Sequence, residues 1–494
     1  MRTSFLRSIF LGSCISTLAL IHSANAGPCI LVSCSDDTAK TVNNVRVVPL
    51  SMTTQVDGGQ LVHGHIDTKS NVEGLVLQRL SVWLTQEAVV NERLDIKVGV
   101  GGIFFYSIPG GDVGDADGAH KTLTKFGPGI GRADMTYHFG SLERPPVSLQ
   151  MGYFPYKYNP DAKNLGEYLL RSGTYPGTLT TGGWNIVSEA SYMMQGIRLN
   201  VSLWNGKFQS DFLLPMERDL PPMSDISPTY VASLNPVAGV EIGGGIACNH
   251  CISVKPSLTS PEKIVKGGGS DPNGIPGNGY VIPNPNFKPD SSVTAITGSN
   301  PRYIYDSANF YTFQGLKLMG RASFDPKAYL PQLSMLASQD LKVYAEFAVL
   351  GVKNYPFYYT DIYQRMPVTV GFNVPTFKLL DALNFEMEYY NSKFPNSLND
   401  PVWGQIPIPD MVDKNDLPTQ DPNLYDPSAS SIKRDNWHWS VYAKKEVMKG
   451  MRFYAQVAND HLRVPQFDFR PSWTEITDRN GKDWYYLVRF ELGI

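Results

Sequence analysis

Polar and apolar residues alternate with period two through most of this chain. Leu94, Ile96, Val98 and Val100 interleave with Asp95, Lys97, Gly99 and Gly101. Ala133, Met135, Tyr137 and Phe139 interleave with Arg132, Asp134, Thr136 and His138. The pattern returns at 147–153, at 197–203 around Arg198, at 341–349 around Lys342 and Glu346, and at 368–374. It recurs at 383–389 around Glu386 and Glu388, at 437–444 with Lys444, and at 451–457 with Arg452. The final residues close the series, with Tyr486, Val488, Phe490, Leu492 and Ile494 on one parity and Arg489, Glu491 and Gly493 on the other. Successive side chains of a strand point to opposite faces, so each segment predicts a strand with one apolar and one polar face. The fold class is all-β.

These patterns last about 8–12 residues, close to the 9–11 that a tilted transmembrane strand needs and longer than the 5–6 usual in soluble sheets. Charges fall almost entirely on one parity, as they must if the other faces lipid. The spacing predicts about 16 strands, within a range of 14–18, the first of them near Leu61 to Asp67. Connections after even strands are short, as at Val90-Asn91, Gly140 to Pro145, Asn205-Gly206 and Met448-Lys449, with one longer exception at Asp325 to Gln332. Those after odd strands are long, notably 108–129, 155–192, 249–306 and 394–434. Asn205-Gly206 predicts a two-residue hairpin, because both residues accept positive φ. Tyr137, Phe139, Tyr153, Trp204, Phe212, Phe324, Tyr389, Trp437, Trp439 and Trp484 fall at or near strand ends, where amphipathic rings suit a membrane boundary.

The N-terminus adds a compartment. A basic Met1–Arg7, an apolar run over residues 8–20 and Ala24-Asn25-Ala26 read as a signal peptide cleaved after Ala26. Cys14 sits inside the apolar run rather than at its end, which argues against a lipoprotein anchor. Removing Arg2 and Arg7 takes the 43 Lys and Arg to 41 against 46 Asp and Glu, a net of −5, and so mild a charge argues against nucleic-acid binding. No remaining apolar run reaches the roughly 18 residues of a membrane helix. Four cysteines remain, Cys29, Cys34, Cys248 and Cys251, and in an oxidising compartment they are disulfide candidates. Cys248-Asn-His-Cys251 lacks the second ligand pair of a zinc site, and no metal or cofactor is expected. Aromatic residues reach 12%, charged residues only 18%, and 44 Gly and 36 Pro punctuate the chain, which agrees with strands and turns.

With the signal peptide, the strand–turn grammar over about 60–494 and the amphipathic terminal strand, the chain resembles the Gram-negative outer-membrane β-barrels, and among them porin-like channels. In that family the last strand carries a sorting signal read by the barrel-assembly machinery. Tyr486, Val488, Phe490 and Leu492 fit it, whereas Ile494 stands where a terminal aromatic is common. The resemblance implies a single transmembrane antiparallel barrel over 59–494, preceded by a periplasmic segment over 27–58, with short periplasmic turns and long extracellular loops. It implies outer-membrane lipid as surroundings and a homotrimer as an assembly.

The expected function is passive diffusion of small hydrophilic solutes, not catalysis. The alternative is a barrel acting through its extracellular loops, by surface binding or as a barrel enzyme. If the polar parity faces inward, candidate pore-lining residues are Lys97, Arg132, Asp134, Arg198, Arg321, Lys342, Glu346, Glu386, Glu388, Lys444, Arg452 and Arg489. With Lys317, Asp95 and Glu491 they make a mildly cationic wall and a weak anion preference, unless the charges pair across neighbouring strands. Within the 155–192 loop, Ala162 to Arg171 predicts a short helix, either folded into the lumen or capping it outside. No Gly-x-Ser-x-Gly elbow, His-Glu-x-x-His or P-loop is present, and His138 and His438 lie on the polar parity of their strands.

Overall fold

The computed structural model describes residues 40–42, 44–63, 76–107, 125–141, 143–173, 179, 192–218, 223–254, 282–283, 303–304, 314–330, 335–354, 361–391, 436–460, 462–467, 471–476 and 484–494. The leader, Cys29 and Cys34 lie outside them. Sixteen strands form one antiparallel barrel: β1 (Ser51–His63), β2 (Val76–Val90), β3 (Leu94–Ser107), β4 (Lys125–Phe139), β5 (Val147–Tyr156), β6 (Tyr192–Leu203), β7 (Phe208–Pro215) and β8 (Thr229–Val237). They continue as β9 (Val240–Asn249), β10 (Gly315–Phe324), β11 (Val343–Val349), β12 (Val368–Asn373), β13 (Ala382–Tyr389), β14 (Trp437–Met448), β15 (Met451–Ala458) and β16 (Trp484–Gly493). Each pairs with its sequence neighbour, and β16 pairs with β1 from Trp484↔His63 to Gly493↔Thr53. Closure leaves the barrel no open sheet edge, so its backbone groups are satisfied without water. A small hairpin, Lys40–Val42 with Val45–Val47, extends the lower end of β2.

Exposure decides which face is which. On β12 and β13, Val370, Phe385 and Met387 are 48%, 47% and 55% exposed, whereas Thr369, Glu386 and Glu388 are 0–1% exposed. The apolar parity therefore faces out. Val98, Val100, Ile130, Met135, Met151, Ile197, Ile246, Leu318 and Phe347 carry the same exposed apolar surface around the wall. A belt of this size is far beyond the apolar patches that water tolerates, and its solvent is bilayer hydrocarbon. Among the described residues no helix is long and apolar enough to cross a membrane; the chain crosses with strands. Aromatic pairs mark both ends of the wall: Tyr137–Phe139 (4.7 Å), Trp204–Phe208 (5.7 Å) and Phe324–Tyr329 (6.1 Å) at one, Tyr389–Trp437 (4.6 Å) at the other.

Two local expectations need correction. The first strand starts at Ser51, well before Leu61, because Thr53, Gln55, Asp57, Gly58 and Gly59 disguise its alternation. The turn at Asn205-Gly206 has four residues, not two. Leu203 pairs with Phe208, and Trp204, Asn205 and Gly206 are left-handed in succession, with φ of 53°, 57° and 84°. Asn and Gly fit there for the reason that predicted them, but Trp204 shares the left-handed turn and its ring packs on Phe208.

Candidate functional site

After β5 the chain turns back into the barrel. Residues 157–173 form a strap whose side chains are almost wholly buried, including Tyr158, Asn159, Asp161, Asn164, Leu165, Glu167, Tyr168 and Leu169. The predicted helix over Ala162 to Arg171 is absent. Gly166 and Glu167 are left-handed, with φ of 88° and 59°. Wall carboxylates take up the strap's amides. Backbone N–H groups of Lys163, Asn164 and Leu165 donate to Glu386 at 2.5, 2.8 and 2.9 Å, and Tyr344 Oη donates to the same carboxylate at 2.6 Å. Tyr158 Oη, Asn159 Nδ2 and the Tyr168 amide donate to Glu346 at 2.7, 2.7 and 3.0 Å. Charge-assisted bonds of this kind are worth about 1.5–3 kcal/mol each.

The strap's carbonyl end is held by the opposite charge. Lys317 Nζ on β10, itself 1% exposed, donates to the carbonyls of Leu169 (2.7 Å) and Ser172 (2.8 Å). Lys342 meets Asp161 at 2.5 Å, and Asn164 Nδ2 donates to Asp460 at 2.9 Å. The Tyr168 hydroxyl lies 2.8 Å from Glu388 and from Thr369, and Glu388 in turn lies 3.1 Å from His438 Nδ1. Behind the strap an apolar core forms inside the barrel. Phe154, Tyr156, Met194, Leu213, Val231, Ala247, Met319 and Ala348 from β5–β11 pack with Tyr168, Leu169 and Leu179.

Burial shapes the strap's ionisable groups. It pushes the Lys157 ammonium down to about 8, against the pull of Glu167. Burial also raises the Glu167 carboxyl despite Arg171 and Lys157. The Tyr158 and Tyr168 hydroxyls rise through burial and through Glu346 and Glu388 respectively, so both stay protonated donors.

All twelve candidate lining residues share the inward parity, but the strap divides them. Glu346, Glu386 and Glu388 lie beneath it and bind the strap rather than water. Arg321 is buried against Glu241, and Arg489 lies 2.5 Å from Asp57, which also takes Arg79 at 2.5 Å. Partial exposure remains for Lys97 (3.1 Å from Glu87), Arg132 (paired with Asp134), Arg198 (2.8 Å from Asp211) and Arg452 (2.7 Å from Glu491). Lys444 stands 5.6 Å over the ring of Tyr454. The cationic excess expected from the sequence is thus matched by acids that sequence reasoning passed over, namely Asp57, Glu87, Asp161, Asp211 and Glu241. Asp95 pairs with His138 at 3.1 Å rather than with Lys97. Near the far rim, Cys248 and Cys251 form a disulfide, and the intervening His250 is buried 3.4 Å from Asp225.

The strap follows the wall from β5 round to the end of β15, and on β1–β4 Thr53, Gln55, Thr85, Lys97 and Arg132 keep partial exposure on the inward face. A closed wall, a lipid-facing exterior and an inward polar face with a folded-in loop are now in place. The architecture is that of a porin-like barrel. Known proteins add little to it. No family model and no curated protein matches the chain. Among solved structures it is similar to a mutant Rh. blastica porin, with a TM-score of 0.38, 8% identity and cover of 91% of this chain and 100% of that one. Salmonella typhi OmpF in complex with daunomycin gives 0.40, 9%, 92% and 100%. The outer membrane channel DcaP of Acinetobacter baumannii gives 0.40, 10%, 93% and 100%. Likenesses at this level carry nothing about function, and the barrel stands on its own strand register.

Proposed function

We propose that this porin-like barrel is an outer-membrane channel for passive diffusion of small hydrophilic solutes. One observation carries the reading: the strap is clamped to the wall by Glu346, Glu386 and Lys317, while Gln55, Thr85, Lys97 and Arg132 on β1–β4 keep partial exposure on the inward face. On this reading a loop fixed at mid-wall narrows the water path, and size selection follows from the room it leaves. Because the lining charges are paired on the wall, ion selectivity is weak. Permeating solutes then feel alternating local dipoles rather than a ring of one sign. The side chains act by geometry and hydrogen bonding, with no covalent step.

The same reading assigns β16 as the strand recognised during assembly, with Tyr486, Val488, Phe490 and Leu492 toward lipid, and gives a homotrimer as the assembly. The direct test is reconstitution in a planar bilayer, where stepwise ohmic conductance with a reversal potential near zero in a salt gradient is expected. A folded, inserted protein that leaves the bilayer insulating would overturn the channel reading. Strong selectivity for either ion would overturn the paired-wall account.

A further inference from the structure

Two rows of lipid-facing residues run in register across β3–β6. One is Ile96, Met135, Met151 and Ile197; the next, nearer the long loops, is Val98, Ala133, Tyr153 and Gln195. Ala133 is the small member of the second row, and Gly152 and Gly196 pair behind it. The outcome is a groove of about 530 Å³ in the outer wall, lined from both rows. That volume lies within the range of small-ligand sites, about 300–1,000 Å³. Val98, Met135, Met151 and Ile197 along it are 37–47% exposed, so it opens toward lipid.

The loop-side end of the groove is polar. Gln195 is exposed on the lipid-facing parity, and its side-chain amide has no hydrogen-bond partner among the described residues. It stands about 10 Å along β6 from the strand's loop-side start at Tyr192, near the boundary of the hydrocarbon. A bare amide in a lipid-facing wall is costly unless something there bonds it. The Gln195 carbonyl takes the Met216 N–H at 2.8 Å, which brings the chain after β7 alongside. Two residues on, the Arg218 guanidinium lies 4.5 Å over the ring of Tyr153, the cross-strand partner of Gln195. Stacking on a ring steadies a guanidinium and leaves its N–H edge for an anion. The neighbouring carboxylate, Glu217, accepts the backbone N–H of Arg218 at 2.9 Å. Cation, amide and apolar trough follow one another in the order of phosphate, ester and acyl chain in a glycerolipid.

We propose that this groove seats one phosphorylated glycerolipid of the loop-side leaflet. An acyl chain lies over Ala133 between Val98 and Met151, the Gln195 amide donates to an ester carbonyl, and Arg218 takes the phosphate. The inference goes beyond the channel reading and rests on the assignment of faces, not on conduction. Native mass spectrometry of the folded protein, released from a non-ionic detergent, counts bound lipid directly. Dimyristoyl phosphatidate is the whole probe, dimyristoylglycerol the chains without phosphate, and glycerol 3-phosphate the phosphate without chains. One phosphatidate per chain is expected, held about tenfold more tightly than the diacylglycerol, with no binding of glycerol 3-phosphate.

Ala133→Phe fills the trough and is expected to weaken phosphatidate binding about tenfold, whereas Val370→Phe on the lipid face of β12 leaves it unchanged. Ala133→Met is the second filler should the phenylalanine protein not fold, with the same loss expected. Arg218→Gln is expected to abolish the preference for phosphatidate over diacylglycerol. Phosphatidate that binds in many copies, or that ignores the Ala133 and Arg218 variants, would make the groove ordinary lipid-facing wall and overturn the proposal. An oligomer that dissociates when Ala133 is enlarged, with lipid binding unmoved, would overturn it too, because a second copy of the chain would be the occupant. Specific lipid binding by a protein that conducts no ions would sink the channel reading and leave this site standing.

Discussion

Single side chains in this barrel act chiefly by satisfying a partner on another strand. Asp57 joins β16 to β2 by taking both Arg489 and Arg79, and Glu386 gathers three strap amides into one carboxylate. Glu386→Gln keeps the shape but removes the charge from those bonds. It is expected to weaken strap docking by about 3 kcal/mol, seen as roughly hundredfold faster hydrogen exchange at the Lys163–Leu165 amides. Unchanged protection there would show that the amides do not depend on the carboxylate.

His250 sets a pH dependence at the rim. Burial pushes its imidazole down to about 4 from the ordinary 6.5, with Asp225 opposing. Between those values the unfolded loop binds a proton that the folded one does not, so the contribution to stability is intact above about pH 6.5 and is lost as pH falls toward 4. Exchange at the amides of Ile252 and Val254, corrected for intrinsic rate, should therefore quicken from pH 7 to pH 5. His250→Asn should flatten that trend.

At the scale of elements, strand periodicity made most of the barrel legible. Clean alternation at 94–100, 341–349 and 383–389 predicts β3, β11 and β13, because lipid on one side and water or strap on the other segregate the residues. Alternation fails where both parities are small or polar, which hid the start of β1. It fails again around Gly129 and Gly131 of β4, which lie against the indole of Trp83. The strap was illegible for a different reason. Its conformation is set by Glu346, Glu386 and Lys317, far away in sequence, so the local preference of Ala162–Arg171 for helix is overridden. Counter-ions such as Glu87 and Asp211 escaped notice because pairing depends on cross-strand register, which alternation does not fix. Lys317→Met is expected to free the strap's carbonyl end while leaving the amide end bound. Proteolysis in the detergent-solubilised protein should then cut after Leu169 or Leu170 and spare residues 158–165.

The whole molecule is a wall with two solvents. Val370 at the middle of β12 faces lipid, and Val370→Arg should cost about 2–4 kcal/mol of folding free energy. Gln209→Arg, at an exposed inward position of β7, should cost little. The fraction of protein that migrates as the unboiled, folded band on a gel measures both, and equal losses would contradict the assignment of faces.

The central claim is that water and small solutes cross beside the strap. Single-channel recording in a planar bilayer tests it most directly. The barrel as it stands should insert in discrete ohmic steps, and Glu386→Gln, with its strap loosened, should give a higher mean conductance and more open-channel noise. Folded protein that inserts without conducting, or a Glu386→Gln trace indistinguishable from wild type, would contradict the account.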